Sequence, residues 1–202
     1  MEEKLDIYHD YQSWKIENHT LISNLVKTNS FTIKRFAPVI QVVDYLFDEK
    51  EKRELTNDEE FFFSTGFDYI FDCFESIKGI LDTYFKGDII LYNKHQNTIA
   101  LILYINDFKS EFKSLGISNY ELKELDDLLK RAEEYLNSSS EAPDEFYQLL
   151  NDISYKIVEK HDIELHMIDE IFYQIAIEYD ICKDDEIDIY NEVINKKIEE
   201  RK

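Results

Sequence analysis

Apolar residues recur three and four positions apart along most of the chain, the spacing of one face of an α-helix. Residues 57–86 are the clearest case. Phe67, Ile70, Phe74, Ile77, Leu81 and Tyr84 form one stripe there, and Asp68, Asp72, Glu75 and Asp82 form another on the opposite side. Thr56 and Glu59 stand at the spacing of a capping box just ahead of this stretch, and Gly87 is a natural stop just after it. Gly79 falls on the acidic side, where a missing side chain costs little packing.

The same period predicts helices elsewhere. The first covers residues 3–28, with Leu5, Tyr8, Trp14, Leu21 and Leu25 inward, and a short connection at Asn29 and Ser30 follows. A second starts near Pro38, which suits the first turn of a helix, and reaches 54. Within residues 88–115, Leu101, Ile105, Phe108, Phe112 and Leu115 have helical spacing. The alternative is a small β-hairpin over 89–105, turning at Asn93–Asn97. A lone hairpin is marginal without a sheet to join, so helix is preferred, ended by Gly116. Ser118 and Glu121 form a second capping box, opening a helix to 136 with Leu122, Leu125, Leu129 and Ala132 inward. Residues 137–144 (NSSSEAPD) have turn composition and are expected to be a flexible loop. Pro143 opens a helix to 160. The next, 162–181, is apolar on most sides and is expected to be buried centrally or in an interface. Asp184 caps a last helix with a basic end. The expected fold is all-α, a single-domain bundle of about seven helices over 1–202.

Composition agrees with this pattern and narrows the function. Only 4 Gly and 2 Pro occur in 202 residues, which argues against a sandwich or barrel. Two cysteines make no disulfide framework, and Cys73 and Cys182 are expected to be buried thiols. The acidic start MEEKLDIYHDY lacks the features of a signal peptide. The longest apolar run, Ile99–Ile105, falls far short of the roughly 20 residues of a membrane span. A cytoplasmic protein that engages no membrane is expected.

Catalytic motifs are sparse. There is no Gly-x-Gly, no P-loop and no Gly-x-Ser-x-Gly elbow. The dipeptide His161-Asp162 resembles the signature pair of the HD phosphohydrolases, which are all-helical metal enzymes. The resemblance covers two residues and implies metal ligands at His161 and Asp162, with His166 a further potential ligand in the same segment. Glu121-x-x-Glu124 is similar to the metal-binding acid pairs of all-helical nucleotide pyrophosphohydrolases, although the second pair those enzymes need is not evident.

Charge is the dominant feature. Acids outnumber bases 44 to 23, for a net charge of −21, well beyond the magnitude of about 2–8 that solubility asks of a small domain. The excess grows along the chain, and residues 162–192 hold 11 acids against the single base Lys183. Such a field repels nucleic acid, anionic lipid and nucleotide phosphates and attracts basic proteins. Asp68, Asp72, Glu75 and Asp82 would rise along one helix face over about 21 Å, a scale comparable to phosphates along a strand. The leading expectation is a non-enzymatic, protein-binding antagonist without a cofactor. It would occupy the nucleic-acid-binding surface of a basic partner, as an immunity protein against a nuclease or as a DNA mimic. Its candidate contacts are Asp68, Asp72, Glu75 and Asp82, then Asp169, Glu170, Asp184, Asp185 and Asp188. The alternatives are a metal-dependent HD-type phosphohydrolase and a helical scaffold that homodimerises through 162–181.

Overall fold

The computed structural model describes residues 2–28, 30–165 and 167–181. Asn29, His166, Cys182 and the expected last helix, with Asp184, Asp185 and Asp188, lie outside them. The described residues form helices α1 (Glu2–Lys27), α2 (Phe31–Lys50), α3 (Asn57–Phe85), α4 (Ile89–Lys94), α5 (Gln96–Ser114), α6 (Lys123–Asn137), α7 (Glu145–His161) and α8 (Ile168–Glu178). No strand occurs among them, and 89–105 is helical except at His95. Their contacts group into two compact units. One holds the chain up to Ser23, residues 33–72 and α8; the other holds 24–32 and 73–167.

In the first unit, α3 starts as expected. Thr56 N–H donates to Glu59 Oε2 at 2.8 Å and Glu59 N–H donates to Thr56 Oγ1 at 3.2 Å, a closed capping box. Arg53 adds a forked pair to the same carboxylate, at 2.8 and 2.7 Å. These bonds, led by Arg53, lower the Glu59 pKa to about 2. A depressed carboxyl contributes stability that is complete above its ordinary pKa and disappears as pH falls through the native one. Urea unfolding followed by Trp14 fluorescence should therefore weaken between pH 4.5 and about 2, with a flatter profile in Glu59→Gln. An unchanged profile would mean the box is not held in solution.

Aromatic rings fill this unit. Tyr11, 0% exposed, lies edge-on to Phe63 and Phe67 and parallel to Trp14. Its hydroxyl donates to Asp44, which also pairs with Lys15. Burial first, then Asp44, raises the phenol pKa and keeps it protonated. Pro38 lies inside α2 rather than at its start, so the helix begins seven residues earlier than the sequence suggested. On α8, Phe172, Ile175 and Ala176 are buried while Ile171 is 39% exposed. The helix is thus one-sided and shorter than the expected 162–181.

The second unit is built around α5. Residues 98–103 are all buried, so this helix takes the central place that the sequence suggested for 162–181. The expected single helix over 88–115 is broken at His95, which caps both α4 and α5 with a non-helical φ of −113° and ψ of 25°. Its ring is buried, with Nδ1 3.0 Å from Leu91 O. A carbonyl only accepts, so Nδ1 carries the proton. Gly116, at φ +84°, closes α5 as expected. Leu125, Leu128, Ala132 and Leu136 face inward from α6, with Leu128 taking the place expected of the half-buried Leu129. Part of the 137–144 segment is pinned. Glu141 Oε2 accepts from Thr98 N–H at 3.0 Å and Thr98 Oγ1 at 2.7 Å, while Ala142 N–H donates to Thr98 Oγ1. The carboxylate thereby caps the first turn of α5 from a distance in sequence.

Candidate functional site

The long helix α3 buries Phe67, Ile70, Phe74, Ile77 and Leu81 at 0–9% exposure. The opposite side is open, and Asp68, Asp72, Glu75 and Asp82 are all exposed. Glu75 pairs with Lys78 at 2.7 Å, one turn along the same helix. Desolvation, and then the charge of Asp72, raise the Asp68 pKa even though its side chain reaches solvent. Like charges thus lie close enough on α3 to disfavour each other, a cost that a bound cation would relieve.

Two aromatic side chains interrupt the acidic side. Phe61 is 64% exposed and Phe71 is 44% exposed. At 3.6 residues per turn, or about 100° per residue, Phe61 falls inside the sector of about 80° that the four carboxylates span, and Phe71 lies at its edge. Phe71 also rests edge-on against the buried Phe67, with centroids 6.1 Å apart, which limits its freedom. The sequence pattern placed Phe67 and Phe74 in the apolar stripe and gave Phe61 and Phe71 no role. Plotting 61 and 71 on the helical wheel would have placed them on the acidic side.

No family model, no curated protein and no solved structure matches the chain.

The other acidic candidates divide. Glu170 is exposed. Asp169 is not part of an open face: its side chain is 10% exposed and accepts from Arg35 Nε at 2.8 Å, with Arg35 itself 2% exposed. A solvated carboxylate and one held in a buried ion pair look alike in sequence.

The His161-Asp162 dipeptide ends a helix instead of starting one. Asp162 is the left-handed cap of α7, at φ 50° and ψ 50°. His161 Nε2 lies 2.9 Å from Glu121 Oε1, and the ionised carboxylate only accepts, so Nε2 carries the proton. The same oxygen accepts from Lys160 Nζ at 2.5 Å, and Glu121 Oε2 accepts from Ser118 Oγ at 2.8 Å. Lys160 first, then Ser118 and His161, lower the Glu121 pKa to about 2. The expected Ser118–Glu121 capping box does not form, and α6 starts later, at Lys123. Charged donors from α7 outbid a neutral backbone N–H for the carboxylate. Among the described residues, no three His, Cys, Asp or Glu side chains cluster to hold a metal.

This knot of bonds forms one wall of an open cavity of about 360 Å³. Ile153 and Ile157 line it from α7, with Lys156 and Lys160 beside them. Lys123, Glu124 and the 87% exposed Tyr120 border it from the start of α6 and the turn before it.

Proposed function

We propose that the protein is a non-enzymatic antagonist. Through the exposed side of α3 it binds a basic protein surface that otherwise holds nucleic acid. A row of carboxylates opposite an apolar stripe is by itself an ordinary solvated surface, and like charges at helical spacing cost only about 0.2–0.5 kcal/mol. The observation that carries the reading further is Phe71, 44% exposed and bordered by Asp68, Asp72 and Glu75. Protein interfaces concentrate their energy in aromatic anchors ringed by polar groups. Acids supply steering and register while phenylalanine supplies desolvated contact. The chain-wide charge of −21 adds long-range attraction for a cationic partner and repels nucleic acid itself.

Immobilised full-length protein should retain a basic protein from a low-salt lysate of its own host or of a competitor, and release it as salt rises. The variant D68N/D72N/E75Q/D82N should not retain it. Phe71→Ala should weaken the complex about 30-fold, as expected for an aromatic hot spot worth about 2 kcal/mol, and should leave its salt dependence intact. Identical retention on wild type and the four-residue variant would place the interface elsewhere.

A further inference from the structure

We infer that the cavity between α7 and the start of α6 is a binding site for a small phosphate monoester that carries a ring. Three lysines line it, Lys123, Lys156 and Lys160, against Glu121 and Glu124. That is a local excess of positive charge in a chain of net charge −21. The charge on the rest of the chain is screened beyond a Debye length of about 8 Å, so an anion small enough to sit inside the cavity senses the lysines first. A long polyanion would extend into the surrounding negative field. The volume, about 360 Å³, suits a ligand larger than a bare ion. Ile153 and Ile157 offer an apolar floor and Tyr120 an aromatic edge for its body.

Glu121 selects the anion's chemistry. Its carboxylate already takes one bond each from Lys160, His161 and Ser118. A monocarboxylate ligand would replace like with like, against a competitor tethered at high effective concentration. A dianionic phosphate engages several ammonium groups at once and gains where a carboxylate does not. Lys156, 4.0 Å from Glu124, and Lys123 are the cations a phosphate would recruit beyond those Glu121 holds. The site lies within the second unit and does not depend on the role of the acidic helix.

Calorimetric titration of the full chain at about 0.15 M salt, with phenyl phosphate, benzoate and inorganic phosphate, tests this. Phenyl phosphate should bind near or below about 1 mM and about tenfold tighter than either of the others. Lys123→Ala with Lys156→Ala should weaken it about tenfold, Lys94→Ala should leave it unchanged, and Glu121→Gln should tighten it by removing the resident carboxylate. Should Glu121→Gln fail to fold, the lysine variants decide. Equal binding of benzoate or inorganic phosphate, no loss in the lysine double variant, or no heat from phenyl phosphate would overturn the assignment.

Discussion

Asp169→Ala is expected to cost about 1.5–3 kcal/mol of stability, because it removes the carboxylate that accepts from the buried Arg35 guanidinium. Arg35 and Asp169 are 2% and 10% exposed and joined at 2.8 Å. Two charges removed from water are tolerated best together, and deleting the carboxylate removes one charged partner of the guanidinium. The double variant Arg35→Met with Asp169→Leu should recover most of the loss, since an apolar pair of similar volume avoids the desolvation of both ions. Trp14 is the sole tryptophan, 4% exposed and in the same unit, so its fluorescence during urea unfolding reports on the right region. A loss below about 1 kcal/mol in the single variant would mean the pair is solvated, as surface ion pairs are.

The second large effect sets two glycines of α3 against each other. A Cβ at Gly66 would lie 2.6 Å from Phe172 Cε1 and 2.7 Å from both Phe172 Cζ and Val43 Cγ2. Phe172 is 2% exposed and meets Phe62 edge-on, so the ring has little room to retreat. Gly66→Ala should therefore destabilise by about 1–3 kcal/mol through overpacking, despite the better helix propensity of alanine. At Gly79 nothing lies within 4 Å of the added carbon. Gly79→Ala should stabilise by about 0.5–1 kcal/mol, the helix-interior difference alone. If both variants were stabilised alike, α2 and α8 would not pack against Gly66 as closely as described.

These cases show what pattern reveals and what it hides. The start of α3, its buried stripe and its open acidic side follow from spacing alone, because the interactions that decide them are a few residues apart. Gly66 is different. Nothing in its neighbours says that a phenylalanine about a hundred residues later will sit on it. The same holds for Asp169, whose partner Arg35 is distant in sequence, and for Glu121, drawn away from a local capping box by two cationic donors on α7. Lys160 and His161, followed by a residue that tolerates the left-handed region, are helix-ending signals. Lys160 is accordingly expected to end its helix, while His161 and Asp162, as a possible ligand pair, are expected at the start of the next one. The unbroken burial of 98–103 was foreshadowed by the apolar run Ile99–Ile105, but length alone does not tell a central helix from a one-sided one. In the acidic row, the carboxylates were legible. Phe61 and Phe71 follow from the same helical wheel, whereas the edge-on contact that holds Phe71 against Phe67 does not.

Whether the carboxylates of α3 stand in for phosphate is decided by competition on the partner captured at low salt. A labelled oligonucleotide bound to that partner should be displaced completely by the wild-type chain, with a midpoint that rises steeply with salt. D68N/D72N/E75Q/D82N should need about 100-fold more protein, a loss of about 2.7 kcal/mol spread over four charges. An oligonucleotide that stays bound while the protein binds alongside it, or that the four-residue variant displaces equally well, would contradict the claim.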